Sequence, residues 1–182
     1  MIVVLDTETG GLNPDTTSIL SFGACLLEDP TVRTEVFIAE SPYCVEAGAR
    51  KVNGIDLVKH DAMAFPPVSA WNKIKMFLRQ GGVTGVAGHN VAFDLGYMRR
   101  LHRLAGDETP FDKIVGRRPL DTMIIAAFLK QTGRLPEEQK LGLTDLLAFY
   151  GIERDGAHTA LGDAVATAAL LNTMIAQEGD HR

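Results

Sequence analysis

Cysteine is scarce in this 182-residue chain. Cys25 and Cys44 are the only two, too few for a disulfide framework and too far apart for a CxxC site. Long apolar runs are missing as well. None approaches the roughly 18–20 residues that a transmembrane helix requires. The N-terminal MIVVLDTETGG has no basic n-region and meets an acid at Asp6, so a signal peptide is not expected. Basic charge is in deficit, with 18 Lys and Arg against 23 Asp and Glu and a formal net charge of −5. Such a balance argues against a protein that coats nucleic acid by bulk charge. Repeats, low-complexity tracts and linkers are also lacking. A cytoplasmic protein with no membrane partner is the default expectation. With 46% hydrophobic residues and a mean hydropathy of +0.04, the chain is well able to fold. A domain takes roughly 100–200 residues, so residues 1–182 are expected to form one.

Charge is unevenly placed. Residues 1–98 carry 7 basic and 11 acidic side chains, residues 99–140 carry 9 and 6, and residues 141–182 carry 2 and 6. The middle stretch is therefore basic, with Arg99, Arg100, Arg103, Arg117 and Arg118 close in sequence. A solvated helix face explains such a cluster, and so does a surface that tracks phosphates; the second is the sharper expectation.

Residues 2–5 (IVVL) form a short β-branched run ending at Asp6 and predict a buried central strand. Residues 18–28 and 34–39 predict two more strands in an antiparallel meander, and residues 83–88 a fourth. Helices are expected over about 45–53, 68–80, 121–131, 143–149 and 159–177. Val68, Trp71, Ile74 or Lys75, and Leu78 share one face of the second, which Gly81-Gly82 stop. Another helix opens at Asn90, with Phe93, Tyr97, Leu101 and Leu104 in periodic array and Gly106 as its stop. Asn90 and Asp121 are the expected N-caps. Strands first, then helices alternating with one or two further strands, make an α/β domain with a mixed sheet.

Three places carry chemistry. In Asp6-Thr7-Glu8 the two carboxylates stand at i and i+2 of a strand and so face one way. Two like charges so close are unfavourable unless a cation neutralises them, and hard oxygen ligands suit Mg²⁺ or Mn²⁺. An exposed acidic strand end is the plainer alternative. The second place is Gly88-His89-Asn90-Val91-Ala92-Phe93-Asp94, where Asp94 in a first helical turn also suits the helix dipole. The third is His158-Thr159-Ala160-Leu161-Gly162-Asp163, with His158 just ahead of a helix, Thr159 able to cap it and Asp163 within its first turn.

In order and spacing, D-x-E on the first strand, H-N-x-x-F-D opening a middle helix and H-x-x-x-x-D opening the last resemble the DEDDh-type 3′–5′ exonucleases of the DnaQ-like superfamily. The resemblance runs from about residue 2 to residue 172. It implies a ribonuclease-H-like fold, a mixed five-stranded sheet flanked by helices. It places the family's carboxylates on Asp6, Glu8, Asp94 and Asp163 as ligands of two divalent cations, Mg²⁺ or Mn²⁺, and its histidine on His158. The implied reaction is hydrolysis of the terminal phosphodiester of single-stranded DNA or RNA, releasing nucleoside 5′-monophosphates. Such an ion pair stabilises both the attacking and the leaving oxygen. A histidine, with an ordinary pKa of about 6.5, accepts the proton of the attacking water. Thr9, Gly10, Leu12, His89, Asn90 and Phe93 are the implied substrate contacts, Leu12 against the terminal base.

Two departures bear on nucleotide preference. Where many relatives read Thr-Thr-Gly this chain has Thr9-Gly10-Gly11, and Ser21 stands where many carry Glu. The chain ends soon after the third motif, so a polymerase partner is not indicated, while a homodimer is compatible with the resemblance. Rival readings are an exoribonuclease trimming RNA ends or short oligoribonucleotides, and a catalytically silent nucleic-acid-binding or interaction module. A phosphatase with Asp6 as nucleophile would want a second Asp where Glu8 stands. Gly82, Gly85 and Gly88 lack the spacing of a dinucleotide-binding loop.

Overall fold

A computed structural model describes residues 1–80, 82–154 and 158–179; Gly81 of the expected helix stop lies outside them. The apolar N-terminal run forms β1 (Ile2–Thr9), followed by β2 (Ile19–Leu26) and β3 (Arg33–Phe37). Helices α1 (Ala47–Asn53), α2 (Leu57–Met63) and α3 (Pro67–Arg79) lead to β4 (Gly85–Gly88). Then come α4 (Val91–Leu104), α5 (Asp112–Val115), β5 (Leu120–Asp121), α6 (Thr122–Gln131), α7 (Leu143–Phe149) and α8 (Ala160–Gly179). The sheet order is β3-β2-β1-β4-β5, antiparallel through β1–β2–β3 and parallel through β1–β4–β5. The expected mixed five-stranded sheet flanked by helices is therefore present.

Alternation along β1 decides what each face holds. Val3 and Leu5 pack into a core with Trp71, Ile74 and Leu78 of α3 and Tyr97, Met98 and Leu101 of α4. Val4 points the other way, onto Ala168 and Leu171 of α8. Asp6 and Glu8 follow Val4 by the period of two and so fall on the α8 face. The strand does not end at Asp6. Asp6, Thr7 and Glu8 stay in register with Gly23, Phe22 and Ser21 of β2, and the pairing slips only between Glu8 and Thr9.

Gly23, opposite Asp6, lets α8 approach. A Cβ there would sit 2.1 Å from the Leu161 nitrogen and 2.2 Å from the Ala160 carbonyl carbon. Any side chain at this position would push the first turn of α8, which carries Asp163, off the sheet. On β3, beside Gly23, the Glu35 carboxylate accepts the Leu161 amide and fixes the same turn.

Several expectations are corrected. Val68 and Leu104 are exposed, because α3 turns Phe77 inward with Trp71, Ile74 and Leu78 and α4 ends clear of the core. Asn90 precedes α4 in the left-handed conformation and its side chain makes no cap. Asp121 caps both α4 and α6 instead. It accepts the Asn90 and Val91 amides at 3.0 Å each, and the Met123 and Ile124 amides at 2.9 and 3.4 Å. No helix among the described residues is long and apolar enough to cross a membrane.

Candidate active site

At the C-terminal end of β1, carboxylate oxygens of Asp6, Glu8 and Asp163 lie within 4.8 Å of one another. Strand alternation presents the first two, and the α8 turn packed on Gly23 brings the third. Asp94 enters from α4 on the opposite face. Its Oδ1 accepts the Thr7 amide at 2.9 Å and the Thr7 hydroxyl at 2.7 Å, so the residue between Asp6 and Glu8 anchors the fourth carboxylate.

Desolvation and crowding shape the electrostatics. Burial pushes Asp6 well above the usual carboxylate range, and the charges of Asp94, Asp163 and Glu8 add to the rise; Arg154 opposes it. Glu8 is raised to about 8, first by burial and then by Asp163, again with Arg154 opposing. Asp94 is raised to about 7 by burial, against the two Thr7 hydrogen bonds. Four acids that meet in this way are short of positive charge. Their donors are all hard oxygens, so the set fits divalent cations such as Mg²⁺ or Mn²⁺.

A pH dependence follows. Both Glu8 and Asp94 hold protons in the folded chain at pH values where the unfolded chain has lost them. The stability this gives the metal-free protein is complete below the ordinary carboxylate pKa of about 4. It is lost as pH rises through about 7 and about 8. In EDTA the melting temperature should therefore fall between about pH 5 and about pH 9, and saturating Mg²⁺ should flatten the trend. A melting temperature that stays level or rises in EDTA would contradict this electrostatic picture.

The remaining predicted residues are placed unequally. His158 precedes α8, is exposed, and takes a left-handed φ of 63°. It is not part of the carboxylate cluster. Thr159 caps α8 as expected, its hydroxyl accepting the Gly162 amide at 3.1 Å. A cleft of about 360 Å³ adjoins Glu8 and is lined by Thr9, Gly11, Leu12, Glu46, Gly48, Ala49, Val52 and Asn53. Leu12 stands out from it, 81% exposed. The Thr9 hydroxyl donates to Gly11 O at 2.8 Å, and Asn53 donates to Thr9 O at 3.1 Å.

Gly10 is buried, with its amide on Ser18 and its carbonyl on Glu46. A Cβ there would meet the Cys44 carbonyl oxygen at 2.2 Å, which explains why the Thr of many relatives is missing. Both backbone groups of Gly10 are thus engaged within the fold. His89 bonds Thr122 at 2.9 Å and the Leu141 backbone, so its ring is engaged inside the fold; burial lowers its pKa. Asn90 is exposed, and Phe93 packs its ring against Tyr97 at 5.2 Å.

The arginines of α4 each stand beside an acid. Arg99 pairs with Asp112 at 3.8 Å, Arg100 with Glu40, and Arg103 with Asp15 at 3.4 Å. Arg117 and Arg118 precede β5 beside Gly116, which lies against Thr84 and Gly85 at the start of β4, away from the carboxylate end of the sheet. Three of the nine basic side chains of the middle stretch thus stand beside an acid, and of these Arg100 is the one largely withdrawn from solvent.

Several site residues were not anticipated. Thr7 is one. Glu46 and Asn53 are others, brought to the cleft by α1. Arg154 is the most consequential: its Nε donates to Asp163 Oδ1 at 2.6 Å, its Nη2 pairs with the same oxygen, and its Nη1 donates to Thr144 at 3.1 Å. Its only sequence signal is a lone cation between Glu153 and Asp155.

Comparisons with known proteins give the family and the fold. The RNase T family model, described as exonuclease, matches residues 3–171. A DNA polymerase III subunit epsilon-like protein of Rhodobacter capsulatus is 32% identical over 172 residues, which cover 91% of this chain and 22% of that protein. Exonuclease I of E. coli in complex with a dA16 oligonucleotide superposes with a TM-score of 0.81 at 19% identity, covering 97% of this chain and 40% of that one. Pop2p of S. pombe, in its Mg²⁺- and Mn²⁺-bound form, gives 0.73 at 18% identity, covering 100% and 85%. The chain thus spans about a fifth of the curated relative and two fifths of exonuclease I. The fold is the ribonuclease-H-like one of these nucleases.

Proposed function

The chain belongs to the RNase T exonuclease family, and from that premise we propose that it is a divalent-cation-dependent 3′–5′ exonuclease acting on single-stranded DNA or RNA ends. The observation that carries this reading is the convergence of Asp6, Glu8, Asp94 and Asp163 beside an open cleft that begins at Glu8.

Asp6, Glu8 and Asp163 would hold two ions, Mg²⁺ or Mn²⁺, with Asp94 supporting the second. When bound, the ions supply positive charge opposite the attacking and leaving oxygens of the phosphodiester. Thr7 keeps Asp94 fixed through two hydrogen bonds, so that carboxylate needs little reorganisation. Leu12, Ala49 and Val52 give the cleft an apolar wall against which a terminal base can pack. Thr9 and Asn53 hold the backbone at its floor. His158, exposed ahead of α8, takes the proton of the attacking water on its ring nitrogen. The bond from phosphorus to the 3′-oxygen of the shortened strand breaks, that oxygen takes a proton from solvent water to become the new 3′-hydroxyl, and the product is a nucleoside 5′-monophosphate.

The test uses matched single-stranded DNA and RNA oligomers of several lengths, labelled at the 5′ end, with Mg²⁺ or Mn²⁺. The expected result is a ladder shortening from the 3′ end that EDTA abolishes. No shortening of either polymer with either ion, or release of the 5′-terminal label first, would contradict the proposal.

A further inference from the structure

Arg154 stands in the site as a cation that the proposed reaction does not use. Its guanidinium is largely buried, and both of its contacts with Asp163 fall on Oδ1. That geometry falls short of the two-oxygen fork that makes arginine–carboxylate pairs strongest. The third nitrogen holds Thr144 in the first turn of α7, so the side chain keeps an anchor if its hold on Asp163 loosens. Its charge also reaches Asp6 and Glu8. Burying several carboxylates without a compensating cation is costly, and Arg154 supplies one from within the chain.

We propose that Arg154 is the resident counter-cation of this site in the metal-free protein, yielding Asp163 when a divalent cation enters and so setting the cation concentration at which the site fills. The inference rests on the reading of the carboxylates as a cation site. A guanidinium on a ligand oxygen competes with an incoming cation for the same negative charge. Arg154 would then act through Asp163 as a positioning residue and would touch neither substrate nor the reacting atoms.

The experiment is calorimetric titration of Mn²⁺ into the EDTA-stripped, dialysed full chain. Wild type, Arg154→Gln and Arg154→Lys are compared, and each is also melted with and without saturating Mn²⁺. One unit of opposite charge at this range shifts a carboxylate's ion affinity by about tenfold or more. Arg154→Gln is therefore expected to bind Mn²⁺ about tenfold more tightly or better, with Arg154→Lys close to wild type. Metal-free Arg154→Gln should melt below wild type, and the gap should close in saturating Mn²⁺. A variant that folds only when Mn²⁺ is added would support the proposal equally. Affinity for Mn²⁺ that is unchanged or weaker in Arg154→Gln would overturn it, leaving Arg154 as a brace. Failure of that variant to fold even in saturating Mn²⁺ would also overturn it, since Arg154 would then serve the fold itself. Absence of Mn²⁺ binding by wild type would instead defeat the underlying reading of a cation site.

Discussion

Asp6→Asn should reduce 3′-end hydrolysis by about a thousandfold or more while leaving the chain folded. The asparagine amide has nearly the shape of the carboxylate but cannot carry its charge. Asp6 is the residue on which the others converge: Asp94, Asp163 and Glu8 all press their charge upon it. The same substitution relieves that repulsion, so the metal-free variant should melt higher than wild type. Each kcal/mol gained corresponds to roughly 2–4 °C in a chain of this size. Loss of activity together with gain of metal-free stability is the signature of a carboxylate kept for a cation. A variant that retains activity within about tenfold of wild type would remove Asp6 from the centre of the account.

His158→Ala carries the second large effect. A general base contributes about 10²–10⁴-fold, and turnover should fall by that order. Affinity for Mn²⁺ should change little, because His158 stands apart from the cluster of Asp6, Glu8 and Asp163. Stability should also change little, since the side chain is exposed. Alanine is no more at ease than histidine in the left-handed backbone at this position, so it removes the imidazole without easing the turn. Single-turnover rates across neutral pH together with calorimetric Mn²⁺ titration make the check. A near wild-type rate would exclude His158 as the base, and a large loss of Mn²⁺ affinity would make it a ligand.

How much of this was legible beforehand depends on the range of the interaction. The D-x-E pair could be read because a strand's period of two is a local property, and so could Asp163, set within one helical turn of Thr159. Asp121 as a cap was equally local; its second role, capping α4 from 30 residues away, was not. The Asn90 side chain lost its expected cap to that distant carboxylate. Arg100 offers the same lesson. In sequence it belongs to a basic cluster, yet the fold sets it against Glu40, 60 residues earlier. Charge counted along a chain therefore does not show which cations already have an acid beside them.

Short elements were the other blind spot. Helix α2 has seven residues and buries only His60, α5 has four, and β5 has two. None is long enough to show a hydrophobic period. Glu46 and Asn53 reached the cleft by the packing of α1, a helix with no buried residue of its own. Gly23 gave no warning either, although it decides whether α8 can bring Asp163 to Asp6. The acids that do the proposed chemistry were thus visible in the sequence, and the residues that hold them together mostly were not.

The central claim is that Asp6, Glu8, Asp94 and Asp163 hold divalent cations at the end of a nucleotide cleft. Anomalous diffraction from crystals grown with Mn²⁺ and a nucleoside 5′-monophosphate tests it most directly. Two Mn²⁺ peaks ligated by Asp6, Glu8 and Asp163 are expected, with Asp94 supporting the second and the nucleoside lying against Leu12 and Val52. Peaks elsewhere, or a carboxylate cluster that stays free of Mn²⁺ while the nucleotide binds, would contradict it.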